Sequence, residues 1–230
     1  MPETIPLFPL QTVLLPGTPL PLHIFEPRYR QLTVDLMTGT MPDKRFGVVA
    51  LAPSHEPEVT SCDQLQAVGC AAVLRQAERL EDGRFDIVSV GEQRFKLLAV
   101  DASSAPYLLG AVEWLPDTPA VIPGQRDVED TIVSLANAAR AAYRRYCQAA
   151  WEQGDWTEPS DDTEVAELAH QLAGDCLLPL EDRQRLLEET RPLHRLRLVC
   201  RMLNREAGII GAFRAVPAPP TELRQHASKN

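Results

Sequence analysis

Ile5-Pro6-Leu7-Phe8-Pro9-Leu10, Val13-Leu14-Leu15-Pro16-Gly17 and Pro19-Leu20-Pro21-Leu22-His23-Ile24-Phe25-Glu26-Pro27-Arg28-Tyr29 follow one another at the head of the chain. No Lys, Arg, Asp or Glu occurs from residue 4 to residue 25, a pattern that hydropathy alone assigns to a membrane or signal segment. Pro6, Pro9, Pro16, Pro19 and Pro21 argue otherwise, because each removes a backbone donor and fixes φ. No spanning helix tolerates that density of proline. The only charge before the run is Glu3, where a secretory signal requires a basic start. The stretch therefore reads as short apolar strands separated by proline corners.

Beyond it, Glu26-Pro27 reads as a helix entry, with Tyr29, Leu32, Leu36 and Met37 on one face and Gly39 as the stop. A short apolar strand is expected over residues 45–51, and a surface loop over 53–63. The run at 65–74 is almost continuously apolar and is interrupted by Gly69, as in a strand buried on both faces or bent at the glycine. Glu81-Asp82-Gly83 signals a hairpin, Gly91 allows a bulge in the following strand, and residues 107–115 form a last strand.

From residue 116 the composition changes. Pro116, Pro119, Pro123 and Gly124 mark a linker over 116–126. Val128, Ile132, Ala136, Ala139, Tyr143, Tyr146 and Ala150 then recur at helical spacing, with Gly154 past the end. Asp161 and Glu164 form an expected capping box for a helix carrying Leu168, Leu172 and Cys176. A short helix follows over 181–189, and Thr190 caps a final one that Gly208 stops. The predicted organisation is α+β: a β-rich part over 1–115, the linker, a helical part over 127–210, and a disordered tail over 211–230.

The quoted opening also resembles a known family. The segments at residues 5–10, 21–29, 46–49, 68–71 and 90–95, and the helical close at 182–205, are similar in order and spacing to the substrate-binding domain of Lon proteases, which also occurs as a stand-alone bacterial protein. The resemblance implies a PUA-like β pseudo-barrel followed by a helical bundle. It further implies a non-catalytic module for unfolded or degron-bearing polypeptides, linked to proteolysis, with a protease as a candidate partner.

Composition sets limits on the rivals. The net charge of −9 opposes general binding to nucleic acid or anionic membrane. The five cysteines are scattered, with no Cys-x-x-Cys, so reduced thiols in a cytoplasmic protein are expected. There is no Gly-x-x-x-x-Gly-Lys-Ser/Thr loop, no Gly-x-Ser-x-Gly and no His-Glu-x-x-His. Ser89 with Lys96, and His55 with Cys62 and Cys70, are the nearest approaches to a dyad or a zinc site, and neither has motif support. No catalytic residue, metal or cofactor is expected.

The binding candidates are Ile24, Phe25, Glu26, Arg28, Tyr29, Arg94 and Phe95. Two readings stand beside each other. In one, Ile24, Phe25 and Tyr29 pack the core, Glu26 caps a helix and Arg94 is a buried or capping charge. In the other, part of this apolar surface lines a groove for exposed hydrophobic stretches. The alternatives are RNA binding through arginines 183, 185, 191, 195, 197, 201 and 205, or a small hydrolase without a recognisable motif. A homodimer would pair along an apolar stripe of the long helix.

Overall fold

The computed structural model describes residues 2–41, 43–53, 59–119, 126–151 and 156–213, without the side chains of 126–129 and 213. His55, Gly154 and His226, the side chain of Val128, and much of the expected linker and tail lie outside the described residues. The elements are β1 (Glu3–Leu10), β2 (Pro19–Ile24), α1 (Pro27–Thr38), β3 (Arg45–Ala50), β4 (Val68–Arg79), β5 (Phe85–Asp101) and β6 (Leu109–Trp114). Then follow α2 (Arg126–Ala150), α3 (Val165–Gly174), α4 (Leu180–Glu188) and α5 (Pro192–Phe213), which makes the chain α+β as expected. Two compact units are formed: Met1–Asp117 with Arg183–Thr190, and Thr118–Asp182 with Arg191–Asn230. The expected division crossed the chain once, whereas the units interleave, and α4 is shared between them after Asp182.

In the first unit β1 pairs with β3 in parallel and with β6 antiparallel, and β3–β4, β4–β5 and β5–β6 pair antiparallel. The circuit β1-β3-β4-β5-β6 thus closes on itself, while β2 adds to the free first half of β5. Two register shifts against β4, and one against β6, let the single long β5 bend around this circuit. Leu7, Val49, Phe95 and Val112 fill its interior, while Phe46 packs on the other face of the sheet against Phe8.

Pro6 and Pro9 do not break β1, contrary to the corners expected there. Leu7 N–H donates toward β6, to the Leu108 carbonyl at 2.7 Å. By alternation, the missing N–H of Pro6 faces the β3 side before that pairing starts at Leu7, and that of Pro9 faces the β6 side after that pairing has ended at Pro6. Val13, Leu14 and Leu15 are buried but form no strand. Their segment is anchored instead by Thr18 Oγ1 donating to the Leu15 carbonyl (2.7 Å) and Gly17 N–H to the Gly91 carbonyl (2.8 Å).

The α1 helix ends at Gly39 in the left-handed region (φ 84°), as its sequence required. Met37 is exposed, however, and Thr33 takes the expected inward place, its hydroxyl donating to the Tyr29 carbonyl (2.9 Å). Eight residues after Tyr29, Met37 has rotated by roughly 80° off the buried stripe.

In the second unit α2 and α5 pack together, with α3 against both. The expected capping box at Asp161 is absent: Glu164 is the N-cap of α3 and makes no side-chain cap bond. Arg140 instead holds the preceding turn by donating to the carbonyls of Pro159 and Ser160. A capping box does form at Ser61, where Gln64 Oε1 accepts from the Ser61 amide (3.0 Å). α5 runs through Gly208 to Phe213, because Ile210 beyond the glycine is buried and holds the extra turn.

Candidate functional site

At the end of β2, Ile24 pairs with Phe85 and is buried, while its neighbour Phe25 is 62% exposed. Glu26 then takes the N-cap position of α1, but its carboxylate bonds to Arg28 (2.8 Å) and not to the helix amides. Pro27 opens the helix, where its fixed φ costs nothing. Tyr29 turns inward and stacks on Phe8, with ring centroids 3.9 Å apart, and the Arg28 guanidinium lies 4.7 Å above the same ring. Burial raises the Tyr29 phenol above its ordinary pKa, opposed by Arg28 and assisted by Glu26. Phe25 is thus flanked by the buried Ile24 on one side and the first turn of α1 on the other.

His23 extends this surface. Its ring stacks near Phe25 at 6.5 Å, its Nδ1 meets Asp86 at 2.6 Å, and its Nε2 meets Arg84 at 3.0 Å. A guanidinium only donates, so Nε2 accepts and Nδ1–H donates to Asp86. Sequence reading missed this network because His23 lies 61 and 63 residues before its partners, Arg84 in the turn leading into β5 and Asp86 on β5.

Arg94 and Phe95 lie in the interior. Phe95 is fully buried in the β core, and Arg94 is 4% exposed. Arg94 donates to the carbonyls of Leu187 (2.8 Å) and Glu189 (2.9 Å) and forms an ion pair with Asp117. Of the seven candidates, Phe25, Glu26 and Arg28 offer accessible side chains, whereas Ile24, Tyr29, Arg94 and Phe95 are buried, and Arg94 and Phe95 serve the end of α4 and the β core instead.

The chemical alternatives gain no geometry. Ser89 is fully buried and Lys96 exposed, seven positions apart along the same strand. Burial pushes the Cys70 thiol up to about 12, which disfavours the thiolate a metal needs. No cluster of three or more His, Cys, Asp or Glu that could hold a metal occurs among the described residues. No helix among them is long and apolar enough to cross a membrane.

The family model described as the ATP-dependent protease La (LON) substrate-binding domain matches residues 4–205. The chain belongs to that family. Lon protease of Anaeromyxobacter dehalogenans is 27% identical over 212 residues, covering 91% of this chain and 24% of the relative. Lon protease 1 of Thermus thermophilus is 27% identical over 209 residues, covering 88% and 24%. The chain thus spans about a quarter of the length of the curated relatives it matches. Among solved structures, a Lon N-terminal domain protein from Xanthomonas campestris aligns with a TM-score of 0.58 at 23% identity, covering 85% of this chain and 95% of that one. The N-terminal domain of a Mycobacterium avium complex Lon protease aligns at 0.60 and 20% identity, covering 87% and 98%. These two likenesses concern the fold. Phe25 lies within the span matched by the family model.

Proposed function

We propose that the chain is a non-catalytic polypeptide-binding module that recognises apolar segments of unfolded or degron-bearing proteins through the surface around Phe25. The observation that carries this reading is a large aromatic side chain, 62% exposed, set between buried Ile24 and the fixed first turn of α1. Preorganisation of this kind lowers the ordering cost of binding. Burial of apolar client surface supplies the driving force, at about 25 cal/mol per Å² before entropic costs. Single short peptides bind weakly on such a patch, and clients offering several apolar stretches bind better through avidity. A cytoplasmic setting and association with a protease fit the family and belong to the same proposal.

RNA binding loses support from the arginines that suggested it. Arg183 donates to the Val13 carbonyl, Arg195 to that of Ala166, and Arg205 pairs with Asp182 and Glu206. The test is binding of a chemically unfolded, fluorescently labelled model protein, with its folded form as control, at low and high salt. Selective, salt-tolerant binding of the unfolded form that Phe25→Ser weakens is the expected result. Equal binding of both forms, or binding that disappears at high salt, overturns it.

A further inference from the structure

We propose that the flank of α1 carrying Arg30, Val34 and Met37 takes an extended client segment in which an acidic side chain lies two residues from an apolar one. This rests on the polypeptide-binding reading and specifies the chemistry of the segment. The three side chains fall within about 60° of one another around the helix. Tyr29, Leu32, Thr33 and Leu36 occupy the buried side, and Val34 and Met37 are 38% and 46% exposed.

Arg30 supplies the polar half of the site. Its Nη2 reaches the turn between β4 and β5, within 3.1 Å of where a Cβ on Gly83 would stand. The acids nearby are engaged elsewhere: Glu26 with Arg28, Asp82 with Arg84, Asp86 with His23, and Asp35 with Gln31 and Tyr107. Glu81, on the same turn, forms no ion pair with Arg30, whose guanidinium has no side-chain partner among the described residues. A half-buried guanidinium with open donors, bordered by two exposed apolar side chains, complements a carboxylate bordered by an apolar group.

Spacing selects the arrangement of the client. Arg30 and Val34 are one helical turn apart, with their Cβ atoms about 5–6 Å from each other. The long Arg30 side chain carries its guanidinium outward from that point to the β4–β5 turn at Gly83. In an extended chain the side chains that share a face are those two residues apart, separated by about 6.6 Å. An acidic–any–apolar segment therefore sets its carboxylate on Arg30 and its apolar group on Val34, and an apolar residue two further on reaches toward Met37.

The experiment uses the full chain and a blocked, fluorescent peptide carrying two Asp-Ser-Phe units on a Gly/Ser background. Controls replace Asp by Asn, Phe by Ser, or place Asp directly beside Phe. Binding is read by anisotropy for the wild type and Arg30→Gln, with thermal unfolding as a check on the variant's fold. Either Asp→Asn in the peptide or Arg30→Gln in the protein weakens binding about three- to fivefold, and the two losses together do not multiply. Equal affinity for the Asp and Asn peptides, or a preference for Asp that survives Arg30→Gln, overturns the inference while leaving the broader reading intact. If no Phe-bearing peptide binds and the unfolded protein does not bind either, both fall.

Discussion

The guanidinium of Arg94, midway along β5, donates at 2.8 Å to the carbonyl oxygen of Leu187, 93 residues later in the chain. Leu187 lies in the last turn of α4, where helix carbonyls lack intrahelical partners and the helix dipole is negative. With Glu189 at 2.9 Å and Asp117 as its counter-ion, Arg94 caps α4 from inside the β unit. Gln184 adds a bond to the Val68 carbonyl (3.1 Å), and Arg183 one to that of Val13 (3.3 Å). These contacts are why Arg183–Thr190, embedded in a helical stretch of sequence, belongs to the first unit.

Arg94→Met should therefore be severe. It leaves Asp117 and the carbonyls of Leu187 and Glu189 without their buried cation, a loss of about 3–5 kcal/mol for a broken buried pair. Arg94→Lys keeps the charge without the planar fork and should recover only part of it. Urea denaturation measures both; an unchanged midpoint for Arg94→Met would mean that the clamp contributes nothing.

Two glycines should respond with opposite signs. A Cβ on Gly91 would stand 2.3 Å from the Leu15 carbonyl oxygen, and Gly91 is held at both ends by backbone bonds to Gly17 and Thr18. Gly91→Ala is expected to destabilise by about 2–3 kcal/mol through overpacking. Gly208 lies within α5 with nothing near its missing Cβ, so Gly208→Ala should stabilise by about 0.5–1 kcal/mol. Denaturation midpoints moving in the same direction would refute the contrast.

The four tyrosines offer a titration. Burial is the first cause raising the phenols of Tyr29, Tyr107, Tyr143 and Tyr146, and it brings Tyr107 and Tyr146 to about 12. In the unfolded chain they ionise near 10. Between about pH 10 and 12 the unfolded state has lost protons that the fold retains, so stability must fall as pH rises through that window. Phenolate absorbance should show little ionisation near pH 10 in the folded protein and full ionisation in denaturant. Four ordinary titrations with the fold intact would contradict this.

Local signals were legible where they act alone. Pro27, the Tyr29-Leu32-Leu36 stripe and Gly39 delimit α1 with no help from the rest of the chain. Non-local chemistry was not. The apolar run Val13-Leu14-Leu15 reads as a strand from its sequence, and only the anchoring of Gly17 on Gly91 shows that it is a buried loop instead. Gly208 reads as a stop until Ile210 is seen to be buried beyond it. The candidate site suffered from the same blindness: composition groups Ile24, Phe25 and Tyr29 as apolar, and only packing separates the one that faces solvent.

That separation makes the last prediction sharp. Ile24 and Phe25 are adjacent, yet one lies under the surface and the other on it. Ile24→Ala removes buried methyl groups and should cost about 2–5 kcal/mol of stability. Phe25→Ser touches an exposed ring and should change stability by no more than about 0.5 kcal/mol. Binding of unfolded client should respond in the opposite order, retained by whatever fraction of Ile24→Ala is folded and reduced several-fold in fully folded Phe25→Ser. Thermal unfolding and anisotropy on the same two samples decide it: a Phe25→Ser protein that binds like wild type would move the client site away from Phe25.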